Sequence, residues 1–305
     1  MDRKQLRTLV AVTEHKSFSA AARALGTVQS NVSAHVARLE KELGVTLIDR
    51  ATNEPTEEGG VVLERARRIE AEFEALDSDV ASLHDVVSGS VRIGLIGTTA
   101  RWLAPPLLTE LERQYPEVSV VILDATTSSL ILALLNGTTD LGVVNLPLDE
   151  PELVSEPLFD EDRILIVPEG HPLFDHEIVG LDELTQHELL IEAPGTAFRD
   201  VLDDAVARTG KKLQTRAEFD GMRLLASMAF AGFGVGLVPA SAAPQTLEGA
   251  WRRIPVEGVP GRSVGLVRRR RGLPSVAQRA VAQLVRDVVR REAPNVAGLY
   301  PTADR

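Results

Sequence analysis

Polar and apolar positions over the first fifty residues follow a helical period that is broken twice. Leu6 to Thr13 (LRTLVAVT) form a first apolar-periodic helix. Ser17 and Ser19 flank Phe18, and either serine can cap a second helix, Ala20 to Leu25. Alanines at 20, 21, 22 and 24 allow close helix–helix approach, and Gly26 permits a tight turn. Thr27 is the expected N-cap of a third helix that runs to about Leu43. On it Val32, Val36, Leu39 and Leu43 make one stripe, expected to pack on the first two helices. The opposite face carries Ser30, Ser33, Ala34, Ala37, Arg38 and Lys41, with Gln29 and Asn31 near its start and no acid before Glu40.

A second helical pattern follows. Val62, Ala66, Ile69, Phe73, Leu76, Val80, Leu83 and Val87 alternate spacings of four and three, a heptad seam of nearly four repeats. Arg65, Arg67, Arg68, Glu72 and Glu74 crowd its flanks, so the stripe is narrow and fits a helix paired with a second copy, with Ile69, Phe73, Leu76 and Val80 at the dimer seam. The alternative is a long helix packed on its own domain. Gly89 is expected to end this helix.

Beyond Gly89 the period changes to strands alternating with helices. Strands are expected at Ser90–Leu95, Val118–Leu123, Leu141–Val144 and Arg163–Val167, with helices at Leu103–Gln114 and at Ser129–Asn136, the latter stopped by Gly137. A second unit places strands at Leu189–Glu192, Leu213–Phe219 and Val235–Val238 around helices at Phe198–Thr209 and Met222–Ala231. Ser263–Val267 reads as a strand and Val276–Arg291 as an amphipathic helix. This βαβ alternation predicts mainly parallel sheets with ligand chemistry at the strand C-termini.

Two short helices and a tight turn before a third helix, whose exposed face has small side chains and no acid before Glu40, make a helix-turn-helix, whose last helix enters the DNA major groove. Gln29 and Asn31 can read adenine, Ser30 and Ser33 can contact bases or phosphate, and Arg38 and Arg50 suit phosphates. A three-helix bundle with a solvated polar face is the plainer alternative. Paired copies would bind two half-sites about one helical turn, ~34 Å, apart.

A net charge of −11 over 305 residues looks wrong for a DNA binder until its distribution is read. Residues 1–50 hold eight Lys and Arg against five acids, so the rest of the chain carries the whole acidic excess. Neither a transmembrane stretch nor a signal peptide is evident, so a cytosolic, nucleoid-associated protein without membrane contact is expected. The absence of cysteine removes disulfides, thiolate redox sensing and Cys-ligated metal. Six scattered histidines give no evident site; His171 and His176 lack a third ligand. No metal and no cofactor besides a small effector are expected.

The head resembles the winged helix-turn-helix of the LysR-type transcriptional regulators. The residues that carry the resemblance are Ser17-Phe18, Ala21-Ala22, Leu25, Gln29, Ser33, Leu39-Glu40, Leu43-Gly44, Leu47, Arg50, Thr56 and Gly59. The resemblance implies a recognition helix at about Val28 to Leu43 and a wing at Ala51 to Glu57. This chain departs from the family's pattern at Ile48, at Ala34 and in an acidic wing (ATNEPTEE), so only weak wing contacts are expected.

The likeness covers nearly the whole chain, through Val91-Arg92-Ile93-Gly94, Asn136-Gly137 with Asp140-Leu141-Gly142, His171-Pro172-Leu173, and Gly232 to Gly236 with Pro239. It implies an α/β effector domain of two lobes, like periplasmic binding proteins, behind an all-α winged helix-turn-helix. The expected division is 1–58 DNA-binding, 59–88 linker helix and 89–297 effector domain. Lobe one spans 89–167 and 268–297, and lobe two spans 168–267.

Small hydroxyls before helices mark three strand ends: Thr98-Thr99, Thr126 to Ser129, and Thr196. Free N–H groups at such starts favour anions, although most such residues are plain N-caps. The resemblance puts Thr98 and Thr127 at effector-contacting positions and Asn145 and Phe198 in the cleft. Thr98, Thr99, Thr127, Ser128, Asn145, Thr196 and Phe198 are therefore the candidate site for a small carboxylate or similar anion.

Two further signals read as structural. Gly232, Gly234 and Gly236 follow a helix and precede a strand, a helix stop and not a dinucleotide loop. The run Arg268 to Arg271 reads as the solvated end of a strand, the alternative being a nucleic-acid patch. The reading is a non-enzymatic regulator, a homodimer or homotetramer on promoter DNA, with RNA polymerase as a further candidate partner. A solute-binding receptor is disfavoured by the missing signal peptide. An α/β enzyme is disfavoured because no Ser-His-Asp order, nucleophile elbow, P-loop or metal cluster stands out.

Overall fold

The computed structural model describes residues 1–82, 86–243 and 248–302. The head is built from α1 (Arg3–His15), α2 (Phe18–Ala24) and α3 (Gln29–Leu43). A capping box starts α1: the Asp2 carboxylate accepts the Gln5 N–H at 2.9 Å, and the Gln5 side chain accepts the Asp2 N–H at 2.7 Å. Of the two candidate serines, Ser17 caps α2. Gly26 takes the left-handed conformation that the turn needs (φ +63°). Thr27 does not cap α3. Val28 holds the cap position with no side-chain bond, and the Thr27 hydroxyl accepts the Asn31 amide instead.

Val32, Val36 and Leu39 are fully buried against Leu6, Leu9, Val12 and Phe18. Each contributes roughly 1.5–3 kcal/mol by leaving water. Leu43, read as the fourth member of the stripe, is exposed, because the chain turns away at Gly44 (φ +72°) one residue later.

The linker helix α4 (Glu57–Ser82) begins tight against the head. A Cβ at Gly59 would lie 1.9 Å from the Leu47 carbonyl oxygen, so this position takes only glycine. Leu63 and Ala66 complete the head core, and the first part of the seam is therefore spent within the protomer. Further along, the Ser78 hydroxyl donates to the Ser88 carbonyl at 2.6 Å, and Asp79 accepts the Val276 N–H at 2.9 Å. Both bonds tie the helix to the body. The expected extension to Val87 does not form: Leu83 lies outside the described residues, residues 86–88 are non-helical, and Gly89 opens a strand instead of ending the helix.

The body has two six-stranded sheets. The elements in chain order are β1 (Gly89–Ile96), α5 (Gly97–Gln114), β2 (Val118–Ala125), α6 (Thr127–Leu135), β3 (Leu141–Leu146), β4 (Leu153–Glu161) and β5 (Arg163–Pro168). Then come β6 (Val179–Gly180), α7 (Leu181–Leu184), β7 (Glu188–Glu192), α8 (Ala197–Ala207), β8 (Gln214–Phe219) and α9 (Met222–Phe230). The chain continues through β9 (Val235–Pro239), β10 (Trp251–Glu257), β11 (Arg262–Arg269), α10 (Val276–Glu292) and β12 (Leu299–Pro301). The first sheet runs β12-β4-β11-β3-β1-β2 and the second β6-β10-β5-β9-β7-β8.

Both sheets are mixed, not mainly parallel. β1 pairs parallel with β2 and β3, but β11 runs antiparallel to β3 and β4; β5 runs antiparallel to β9 and β10. The expected lobe boundary is corrected at both crossings. β5 lies in the second sheet and β11 in the first, so lobe one holds β1–β4, β11 and β12, and lobe two holds β5–β10. The chain changes sheet at Asp162 and again between Glu257 and Arg262.

Glycine sets the helix seating in lobe one. A Cβ on Gly94 would lie 2.3 Å from Leu130, and one on Gly142 would lie 3.0 Å from Leu134, so bare strand backbone receives the buried face of α6. Gly232 stops α9 at φ +81°, as its place in the sequence predicts. The basic run ends β11 and is solvated in part, with Arg270 and Arg271 exposed and Arg268 and Arg269 half-buried. Arg269 donates to the carbonyls of Leu134 and Thr139, at and just after the end of α6, and Arg270 to those of Pro151 and Leu153.

Candidate DNA-binding face and effector cleft

The free side of α3 presents Gln29, Ser30, Asn31, Ala34, Ala37 and Arg38 to solvent, with Ser33 half-buried among them. Local bonds pre-set several of these groups: Ser19 donates to the Gln29 side-chain oxygen at 2.9 Å, and Arg38 lies over its own helix, bonding Ala34 O and His35. Arg50 stands apart. Its guanidinium pairs with Glu40 at 2.9 Å and sits 4.7 Å from the Phe18 ring centroid. Glu40 also accepts the backbone N–H groups of Leu47 (2.9 Å) and Ile48 (3.3 Å). One carboxylate therefore fastens the segment after α3, a role that residue pattern alone did not reveal. The wing closes through a single bridge, Ile48 to Pro55, and its Glu54 pairs with Lys16.

On α4 the predicted seam survives in its middle. Leu76 is 57 % exposed, Val80 52 % and Ile69 37 %, with no partner inside the protomer to cover them. Phe73 is half-buried beneath the Arg3 guanidinium, 4.2 Å from its ring centroid.

Where the chain crosses between the lobes, the structure gathers part of the predicted effector set, all from lobe one, around a residue that was not predicted. Arg262, at the start of β11, donates to Thr98 Oγ1 (2.7 Å), Asn145 Oδ1 (3.1 Å) and Glu161 Oε2 (2.7 Å from Nε). Thr127 joins through its hydroxyl, which accepts the Asn145 N–H at 3.2 Å. The Glu161 side chain is 0 % exposed and that of Arg262 10 %; Glu161 also accepts the Ser241 N–H. Removing either partner of such a buried pair costs ~3–5 kcal/mol, so the pair is part of the scaffold as well as of the cleft.

Thr99 is buried with an unpartnered hydroxyl. Ser128 is exposed at the edge of the group. Thr196 is occupied locally, capping α8 through the Arg199 N–H and donating to Glu192 at 3.0 Å. Phe198 packs on the core of the second lobe beneath Arg163, whose guanidinium carbon lies 3.5 Å from the ring centroid. A cavity of about 440 Å³ opens beside Thr98, lined by both lobes through Arg101, Asp124, Arg223, Phe230 and Ala242. Asp124 of β2 and Arg223 of α9 pair across it at 2.5 Å.

Among the described residues no cluster of His, Cys, Asp or Glu could hold a metal, and no helix is long and apolar enough to cross a membrane. The family described as bacterial regulatory helix-turn-helix protein, lysR family, matches residues 3–60, and the LysR substrate binding domain matches residues 84–290.

The chain belongs to the LysR family. It is a LysR-type DNA-binding transcriptional regulator with an effector-binding domain. A probable hydrogen peroxide-inducible genes activator of Mycobacterium leprae (strain TN) is 34% identical over 299 residues, 94% of each chain. A cysteine-substituted full-length OxyR from Pseudomonas aeruginosa shares the fold at TM-score 0.76 and 24% identity, covering 100% of this chain and 99% of that one. Full-length CbnR in complex with its target DNA shares it at TM-score 0.69 and 24% identity, covering 96% and 100%.

In this LysR-type frame the acid-free side of α3 predicts the effect of one charge. Ser33→Glu is expected to abolish preference for a promoter fragment over bulk competitor while leaving the melting temperature unchanged. Gel shift and circular dichroism together check it, and promoter affinity equal to wild type would reject this face.

Proposed function

We propose that this LysR-type regulator binds promoter DNA as a homodimer or larger homo-oligomer and responds to a small anionic effector held between its lobes. Gln29, Ser30, Asn31, Ser33, Ala34 and Arg38 make the DNA face, with Arg50 supporting it from the side. The dimer seam is Ile69, Phe73, Leu76 and Val80. The observation that carries the reading is the coexistence, on one continuous unit, of an exposed acid-free helix face and an exposed apolar seam. A single helix-turn-helix buries little surface, and a two-fold pair supplies the second half-site. A regulator of this kind works in the cytoplasm, on the nucleoid and beside RNA polymerase, with no catalysis of its own.

The signal is assigned to non-covalent effector binding, although relatives are named as peroxide-inducible activators. This chain has no cysteine. Peroxide sensing through a thiolate, its sulfenic acid or a disulfide needs a sulfur that is not there. What the chain offers instead is a cavity of about 440 Å³ lined by Thr98, Arg101 and Arg223, with Asn145 and Arg262 bonded next to it through Thr98.

Helix α6 gives the effector a route to the DNA head. Its N-terminus carries Thr127 at the cleft. At its other end Arg68 of the linker helix donates to the Leu135 carbonyl at 2.8 Å, and Arg269 holds the Leu134 carbonyl. Movement of α6 therefore pulls on α4.

A gel shift on the DNA upstream of the chain's own coding region, with and without organic acids or hydrogen peroxide, tests the whole reading. The expected result is a shift altered by an acid and unaffected by peroxide. A peroxide response reversed by dithiothreitol would sink the non-thiol signal. Leu76→Asp is expected to dissociate the oligomer in sedimentation and to weaken DNA binding at least tenfold, and an intact oligomer would reject the seam. Arg68→Ala is expected to leave oligomer and effector-free DNA affinity in place and to blunt the acid's effect on the gel shift. An undiminished response would rule out α6 as the route.

A further inference from the structure

An arginine buried without hydrogen bonds to its Nε or Nη1 stands where the chain crosses between lobes. Arg163 opens β5 directly after Asp162 and is 4 % exposed. One face of its guanidinium rests on the Phe198 ring. Its Nε and Nη1 are sealed from solvent and have no acceptor. Two carboxylates act on its charge, and both are engaged elsewhere. Glu161 is committed to Arg262 and to the Ser241 N–H, and Glu192 accepts the Thr196 hydroxyl. Burial first, then the charge of Arg262, brings the Arg163 pKa down to about 9, so it remains a cation at neutral pH.

Other stranded polar atoms adjoin the same network. Thr99 Oγ1 and Ser241 Oγ are buried without partners. Thr99 follows Thr98, which accepts from Arg262, and the Ser241 backbone already holds Glu161. An unmade hydrogen bond of a buried group costs about 1–3 kcal/mol, and more when the group is charged. Native chains pair nearly all such groups, so a stranded set at a cleft marks a place where something else supplies the acceptors.

We propose that Arg163 anchors an anion subsite at the lobe crossing, which takes the carboxylate of a small monocarboxylate. This rests on the cleft being the effector site. Arg262 and Glu161 neutralise one another, so the subsite offers one cation without a bonded counter-ion. That selects a single negative charge, because a dianion would bring its second charge against Glu161 and Glu192. A carboxylate is planar and accepts several charge-assisted bonds, matching free guanidinium N–H donors and nearby hydroxyls.

The test is thermal melting of the full-length chain, wild type and Arg163→Met, in a sulfate background of constant ionic strength, with acetate, pyruvate, benzoate or chloride added. Methionine keeps contact with the Phe198 ring and removes the charge. Without added monoanion the variant is expected to melt above wild type, since it no longer buries an unpaired cation. At least one of the three carboxylates is expected to raise the wild-type melting temperature, and this rise disappears in the variant. A variant that melts below wild type, a carboxylate effect retained in the variant, or no carboxylate effect in wild type would each overturn the proposal. An equal rise with chloride would place an inorganic monoanion there and overturn the carboxylate assignment. Arg163→Gln is read in the same way if Arg163→Met does not fold, and failure of both to fold makes the guanidinium structural and ends the proposal. Failure of the regulator reading is separate: it appears as a missing gel shift while these melting shifts persist.

Discussion

One helix has to satisfy three surfaces at once. Near its start α4 completes the head core with Leu63 and Ala66, and near its end it is bonded to the body through Ser78 and Asp79. Ile69 and Leu76 between them, and Val80 just beyond, stay exposed and are the proposed seam for a second copy. A 26-residue helix spans about 39 Å at 1.5 Å per residue, long enough to separate these duties along one rod. Because the rod is continuous, a rotation imposed at the body is delivered to the recognition helix. The close seat of Gly59 on the Leu47 carbonyl removes slack at the head end, and the Asp79 cap on α10 removes it at the other. The interfaces in the chain differ in kind accordingly. The head joint is apolar and tight, whereas the joints to the body run through single hydrogen bonds that can be exchanged.

The cleft obeys a different constraint. Its two lobes are joined by strands that cross at Asp162 and just before Arg262, and the charged groups of the cleft cluster at those crossings. Gly261 allows the two crossing segments to touch: a Cβ there would lie 2.6 Å from the Glu161 carbonyl oxygen. Asp162 is pinned by the Gly298 carbonyl, which accepts its N–H, and by the Tyr300 hydroxyl. The pivot is therefore stiff, and the compliant contacts lie further out, in the Asp124–Arg223 pair over the cavity. That pair is half in solvent and worth roughly 0–1 kcal/mol, weak enough for a ligand to rearrange.

Local period made the head, the linker and most body elements legible, because amphipathic helices and buried strands write their burial into nearest neighbours. Val32, Val36 and Leu39 sit where the stripe demands, and Leu43 fails only because Gly44 turns the chain. What period cannot carry is which sheet a strand joins. β5 and β11 look alike from within, and their membership is decided by pairing with residues about seventy to a hundred positions away, Arg163 with Pro239 and Arg262 with Glu161. The same blindness hid Arg262 and Arg163 from the candidate site. An arginine at the end of an apolar strand resembles a surface charge until partners far along the chain, Thr98 and Asn145 for Arg262 and Phe198 for Arg163, are packed against it. The hydroxyls were found because helix starts are local features, but hydroxyls are common caps, and Thr196 is spent as one.

These two constraints set what an effector must do. A ligand shifts DNA binding only by preferring one lobe arrangement, and a tenfold change in DNA affinity requires about 1.4 kcal/mol of that preference to reach the head. Thr98, Asn145 and Glu161 are held on Arg262, so those acceptors are already satisfied and offer little new energy. The unsatisfied donors of Arg163 are different, since pairing them relieves a penalty of the same order as the coupling needed. An anion that reaches Arg163 gains this only in arrangements that keep Phe198 and the lobe crossing in register. Its binding energy is thereby tied to lobe geometry, and by the route proposed through α6 and Arg68 to the angle of the linker helix. A ligand that satisfied only the exposed hydroxyls would bind both arrangements alike and would leave the DNA untouched, however tightly it bound.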